Sequence, residues 1–389
     1  MSVAKNKQVL ESRKALVNAK RVVIKLGTHI VMHNNGELAI GRLHGIIEEI
    51  VALKRSRRQV ILVSSGAIGL GAGRIAKAPQ SLDEKQACAA IGQVLLMSVY
   101  EQAFSRYGLV VAQLLLTEPD FHNRTRYLNL SNTLRALLAA GVIPVVNEND
   151  PVSTAEIEAV AKSRSVFGDN DKLSALLSSK IDAQALVILS DVDGLYSAPG
   201  PDKGGNLLDF VRADEIGHQS DAGSKSIYGR GGMRAKLDAV RVALESGCPA
   251  VIANGTCSGT IQRIFSGETV GTLFIPNRKL SGKKRWIAFA TKPAGEVVVT
   301  TGARQALEKR GASLLFSGVV EISGSFVRGD VLSVFDTNGE EFARGISNHA
   351  SDAAQRLVGR HTSAVAEVSR APNGDTFITR DNLVLLMGY

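Results

Sequence analysis

Short, nearly continuous apolar runs recur along the first part of the chain, and a helix-length stretch separates each from the next. "RVVIKLGTHIV" (Arg21 to Val31) reads as a strand broken at Gly27, and "QVILVSSGAIGLGAG" (Gln59 to Gly73) as a strand running into a glycine-rich turn. "GLVVAQLLLT", "GVIPVVNEND", "ALVILSDVDG" and "CPAVIANG" repeat the pattern, while "GRLHGIIEEIVALKRSRR" spaces its apolar residues as one helix face. Strands without a polar face are buried on both sides. Their alternation with helices predicts an α/β fold, a three-layer αβα sandwich on a mainly parallel sheet, with ligands at the carboxyl ends of the strands.

At 389 residues, 44% hydrophobic and 21% charged, the composition is that of a globular chain of two or three domains. The longest near-apolar run, "ALLAAGVIPVV", has 11 residues and a proline, short of the roughly 20 that span a bilayer. No membrane segment is expected. The charged amino end lacks the apolar core of a secretory signal, which places the protein in the cytoplasm. Three scattered cysteines, without CxxC or HExxH spacing, predict neither a disulfide framework nor a metal site. Beyond Pro276 the texture changes to short alternating segments, "GEVVVT", "SLLFSGVV", "GDVLSVFD" and "AVAEV". The expected organisation is an N-terminal extension (1–20), an α/β domain (21–280), and a linker with a small mostly β domain (281–389). That last part holds 13 Lys and Arg against 11 Asp and Glu, so the net charge of +9 does not gather there, and no specific nucleic-acid binding is expected of it.

The strand ends carry the chemistry. "KLG" sets Lys25 beside a glycine, and "SSGA" offers Ser65 and bare N–H groups, either an anion seat or an ordinary turn. "NENDPVST" and "FGDNDKLSA" concentrate carboxamides and carboxylates that suit the ammonium and carboxylate of a free amino acid, although one of Asp169, Asn170 and Asp171 is equally placed to cap the next helix. "LSDVDGLY" ends a strand in an acidic turn. "YGRGGMRAKLDAV" puts two glycines and a lysine at a helix start, which suits a phosphate, or a solvated basic turn.

As an ordered series these motifs resemble the glutamate 5-kinase group of the amino acid kinase family, and the C-terminal part resembles the PUA domain often fused to it. The resemblance runs from about Val22 to His361. It implies transfer of phosphate from ATP, with Mg²⁺, to the side-chain carboxylate of L-glutamate, feedback inhibition by proline, and a homo-oligomer. The family's catalytic positions fall on Lys25, Lys236 and Asp171, and its glutamate-binding positions on Ser65, Asp150 and Asn170, with Asn147 nearby. Nucleotide binding falls on Lys25, Ser190, Asp191 and the run Arg230, Gly231, Gly232, Met233, Arg234, Ala235 and Lys236; no protein metal ligand is implied. Two departures stand out: Arg230, Arg234 and Ala235 replace the family's small hydroxyl residues, and the connection Glu158 to Val166 is longer than usual. Another acidic acceptor, RNA binding through the PUA-like part, and a dehydrogenase, against which the absence of GxGxxG speaks, are the competing readings.

Overall fold

Strands with no polar face are satisfied only inside a layered structure, and that is where they lie in the computed structural model of the protein. The structure describes residues 3–117, 119–122, 124–152, 169–197, 205–216, 232–276, 282–285, 287–288, 293–359 and 376–386. The chain divides into two units, one of Met1–Phe121 and Thr125–Lys279, the other built on Leu280–Tyr389.

Among the described residues the first unit has an eight-stranded sheet of β1 (Arg21–Leu26), β2 (Gln59–Ser64), β3 (Val111–Leu116), β4 (Ile143–Glu148), β5 (Ala185–Ser190), β6 (Phe210–Arg212), β7 (Ala250–Asn254) and β8 (Thr272–Ile275), in the order β3-β4-β2-β1-β5-β7-β8-β6. Every neighbouring pair from β3 to β7 is parallel, β8 is antiparallel to β7, and β6 is parallel to β8. The predicted α/β sandwich is therefore present. The edge strand β6 and its neighbour β8, which the sequence did not mark, are only three and four residues long.

Alternate residues of each strand feed separate cores. Val22, Ile24, Leu26, Val60 and Leu62 pack with the helices Ile40–Arg55 and Leu82–Ser105. Val23, Ile61, Val63, Val146 and Ile188 pack with Arg124–Ala139, Asp169–Lys180 and Met233–Glu245. The N-terminal residues also belong to this unit: helix Val3–Val17 is tied down by Arg13, whose guanidinium donates to the carbonyls of Glu268 (2.6 Å) and Asp209 (3.1 Å). Glu49 accepts from the backbone N–H groups of Gly259, Ile261 and Gln262, closing the start of helix Thr260–Ser266.

The glycine-rich segment after β2 is not a turn, as the sequence suggests, but the helix Ala67–Ile75. Within GAIGLGAG, positive φ occurs at Gly66 alone (+101°). Gly71 serves close approach: a Cβ there would lie 1.8 Å from the Cys88 carbonyl oxygen, and one at Gly92 would lie 1.8 Å from that of Ala67. Helices Ala67–Ile75 and Leu82–Ser105 thus touch backbone to backbone. The latter is long and apolar enough to cross a membrane by length and composition, yet it buries Cys88, Leu96, Tyr100 and Phe104 in the core.

The second unit contains β9 (Gly295–Val299), β10 (Leu314–Leu315), β11 (Val319–Gly324), β12 (Val331–Phe335), β13 (Glu341–Ile346), β14 (Thr376–Ile378) and β15 (Leu383–Leu385). Five of them form a sheet in the order β11-β9-β12-β13-β15, and β10 pairs with β14. Phe316 and Phe377, stacked at 4.9 Å, sit in its core with Phe326 and Phe342. The predicted strand "AVAEV" lies outside the described residues.

Gly92→Ala should destabilise the first unit by about 3 kcal/mol or more, because the added methyl meets backbone and not a mobile side chain. Denaturant melts showing a change below about 1 kcal/mol would rule out the close crossing. Lys180, 6% exposed, has no hydrogen-bond partner for Nζ among the described residues, and Nζ lies 4.9 Å from the Tyr127 ring centroid; burial pushes its ammonium down to about 7. The unfolded chain, with a lysine near about 10.4, binds the extra proton between these values, so stability falls as pH drops through that window. Lys180→Met should therefore stabilise the protein more at pH 6 than at pH 10.5, read from melts at both.

Candidate active site

Strand parity decides what Lys25 meets. Two residues after Val23, it shares that face of the sheet and points toward the helices Asp169–Lys180 and Met233–Glu245. From the first turn of one comes Asp171, and from the first turns of the other Lys236. Lys25 Nζ lies 2.7 Å from Asp171 Oδ1 and Lys236 Nζ 3.8 Å from Asp171 Oδ2. All three are buried, with exposures of 6%, 2% and 9% for Lys25, Asp171 and Lys236. Gly27 follows closely: its N–H donates to the Leu189 carbonyl at 3.0 Å, and a Cβ there would crowd that oxygen at 3.2 Å.

Two ammonium groups share one carboxylate here, leaving the cluster net positive. Burial lowers the proton affinity of Lys236; Asp171 counteracts this, Lys25 adds to it, and Asp191 counteracts it again. An anion arriving between the lysines would restore balance. Gly232, in extended backbone (φ −59°, ψ 175°), caps helix Met233–Glu245 without a side-chain bond, and Lys236 is the fourth residue of that helix. Met233 and Ala235 are half-buried and Arg234 is exposed, while Arg230, Gly231 and the connection Glu158 to Val166 lie outside the described residues. Ser190, at the end of β5, donates to Asp191 Oδ1 at 2.9 Å and accepts from Gly255 N–H through its carbonyl.

A second group assembles at the ends of β2 and β4. Asn147 is buried at 1% exposure; its Nδ2 donates to Gln93 Oε1 (2.8 Å), and its Oδ1 accepts from Asn170 Nδ2 (3.0 Å) and Glu148 N–H (2.9 Å). Asn170 and Asp171 lie within the first turn of their helix, and their side chains reach Asn147 and Lys25 instead of capping. Asp150 begins the 3₁₀ turn Asp150–Val152. Ser65 is buried beside Ser64, whose hydroxyl pairs with Tyr100 at 2.7 Å. Gln93 was not singled out from the sequence; its one signal is a carboxamide inside the apolar stretch "ACAAIGQVLLM". Among the described residues no group of three or more His, Cys, Asp or Glu is placed to hold a metal.

Asp171→Asn leaves two buried ammonium groups facing each other, and should cost about 3 kcal/mol of stability. Adding Lys25→Met should recover part of that loss; a double variant no more stable than Asp171→Asn in denaturant melts would contradict the pairing.

The model of the amino acid kinase family matches residues 20–254, and that of the PUA domain matches 295–368. Glutamate 5-kinase of Moorella thermoacetica is 43% identical over 97% of this chain and 99% of its own. The protein of that name from Geobacter sp. is 42% identical, covering 96% of this chain and 100% of its own, and that from Pelobacter propionicus 43%, covering 94% and 98%. With the family model spanning the sheet and the strand ends just described, and relatives aligned along nearly the full length, the chain belongs to the amino acid kinase family and carries a PUA domain behind the kinase fold.

Proposed function

We propose that the carboxyl ends of β1, β2, β4 and β5 form the site in which this chain phosphorylates L-glutamate. The reaction is transfer of the γ-phosphoryl group of ATP to the side-chain carboxylate, giving L-glutamyl 5-phosphate and ADP, the first step of proline biosynthesis. The observation that carries the site is the buried Lys25–Asp171–Lys236 cluster. A glutamate carboxylate, with a reference pKa near about 4.3, is ionised at neutral pH, so the nucleophile needs no base. What opposes reaction is repulsion between that carboxylate and the triphosphate. A carboxylate oxygen attacks the γ-phosphorus, the bond to the β–γ bridging oxygen breaks, and ADP departs with that electron pair. Lys25 and Lys236 neutralise the charge spread over the transferred group, and first-turn N–H groups of Met233–Glu245 hold phosphate oxygens. Asp171 keeps the two ammonium groups together and oriented.

Ser65, Asp150, Asn147 and Asn170 hold the acceptor, with Asp150 taking its ammonium group. Ser190, Asp191 and the segment from Arg230 to Lys236 hold the nucleotide. Mg²⁺ accompanies the phosphates, whose oxygens suit a hard cation that keeps much of its water, and it supplies further charge neutralisation there. On the same reading the catalytic domain spans 21–280 and the PUA-like part, 281–389, tunes regulation or assembly without binding a specific nucleic acid. Proline acts as feedback inhibitor, the protein is a homo-oligomer, and it works in the cytoplasm.

The direct test is ADP release with glutamate, run against a panel of other acidic acceptors, with and without proline. Release that is faster with another acceptor would overturn the substrate assignment. Lys236→Ala should lower kcat by about tenfold or more, because its charge matters most as the phosphoryl group moves. Asp150→Ala should instead raise the KM for glutamate and leave that for ATP nearly unchanged. Swapped effects would exchange the two roles.

A further inference from the structure

The amide cluster at the end of β4 has a definite polarity, and it originates in the backbone. Glu148 N–H is solely a donor, so the Asn147 atom it meets at 2.9 Å must be the oxygen. Asn147 therefore turns its nitrogen toward helix Leu82–Ser105, where Gln93 must present Oε1 to receive it. Gln93 Nε2 is left facing away from this bond. On the other side Asn170 must spend Nδ2 on the same Asn147 oxygen, which turns its own Oδ1 away. Reversing either outer amide would set two like atoms against each other.

The result is one donor, Gln93 Nε2, and one acceptor, Asn170 Oδ1, both buried and both without a hydrogen-bond partner among the described residues. Gln93 is itself 6% exposed. Leaving such groups unpaired forfeits the hydrogen bonds they would make in water, a cost that a bound ligand removes. The stripe carrying Gln93 carries a polar contrast seven residues on: Tyr100 points to the same side and closes its hydroxyl on Ser64 at 2.7 Å. Gln93 thus lacks what a structural polar residue on that helix has. Its position is also fixed on both sides. The adjacent Gly92 rests against the carbonyl of Ala67, two residues beyond Ser65, and the helix packs on the turn Asp150–Val152.

We infer that Gln93 is a substrate-binding residue: its Nε2 donates to the α-carboxylate of the acceptor amino acid, while Asn170 Oδ1 accepts from the α-ammonium group. A free amino acid brings an acceptor and a donor on adjacent atoms, which is the complement of this pair. The order β4-β2-β1 sets the cluster two strands, roughly 10 Å, from the strand of Lys25. The α end of an extended glutamate then sits at β4 and its side-chain carboxylate points to the phosphoryl site. Asn147, with its oxygen accepting twice, is the positioning residue that aims the other two amides. This assignment rests on the glutamate reading given above and adds the part of the molecule that each amide recognises.

The test uses the full chain and three acceptors: glutamate, 4-aminobutyrate, which lacks the α-carboxylate, and glutarate, which lacks the ammonium group. kcat/KM is measured by ADP release for the wild type, Gln93→Met and Gln93→Glu. In Gln93→Met the preference for glutamate over 4-aminobutyrate should shrink by about tenfold or more, since the deleted contact is a hydrogen bond to a charged group. The preference over glutarate and the KM for ATP should stay within about twofold of the wild type. Gln93→Glu keeps an oxygen for Asn147 and should show the same selective loss; it decides the matter if Gln93→Met melts early or fails to fold. An unchanged preference over 4-aminobutyrate means that Gln93 holds only a water, and overturns the proposal. So does a parallel fall of both preferences, which marks Gln93 as acting solely through Asn147. If the wild type itself shows no glutamate-dependent ADP release, the proposed function fails and takes this assignment with it; activity on glutamate with unaltered ratios in both variants defeats this assignment alone.

Discussion

A carboxylate held out of water between two ammonium groups sets the terms for the rest of the first unit. Bare charges of this kind are expensive to bury, and each of the three is tolerated because the others are there. Their pairing needs three elements to converge: β1, the helix Asp169–Lys180 and the helix Met233–Glu245. The core beneath, with Val23, Leu173, Leu177, Leu237 and Val240, brings those elements together on one side of the sheet. Packing and electrostatics therefore depend on each other: the apolar layer fixes the helices, and the ion cluster fixes which residues of those helices can face the strand end.

The opposite side of the sheet follows a different logic. There the long helix Leu82–Ser105 approaches Ala67–Ile75 so closely that glycine is required at both contact points, Gly71 and Gly92. That approach places a stripe of the long helix over two strand ends, with Tyr100 at Ser64 and Gln93 at Asn147. One face of the sheet thus supplies charge and one amide, Asn170, and the other supplies the Gln93 amide and the paired hydroxyls of Tyr100 and Ser64. A phosphoryl transfer to an amino-acid carboxylate uses both, because the donor must be neutralised and the acceptor must be held by atoms that do not compete for that charge.

The strand-and-helix alternation was legible in the sequence because a strand buried on both faces leaves an unbroken apolar run. β1 to β5 and β7 were visible in this way, whereas β6 and β8, three and four residues long, left too little signal. The glycines after β2 misled for a physical reason: glycine marks both a turn and a close helix crossing, and nothing local separates the two uses. Lys25, Asp171 and Lys236 were each legible as residues at strand ends and helix starts. Gln93 was not, since a single carboxamide in an apolar helix has no periodicity to announce it.

What the sequence determined by itself was the class of fold, the family, and the types of side chain available at the strand ends, because these follow from patterns within a few tens of residues. What only the tertiary structure decided was which of those side chains meet. Lys25 and Asp171 are far apart in the chain, and strand parity selects the face on which they pair. The direction of each amide around Asn147 is likewise a tertiary fact, imposed by one backbone N–H at Glu148 and passed through contacts between β4 and two helices. Hydrogen-bond polarity is set by partners, and partners separated by tens of residues exist only once the chain has folded.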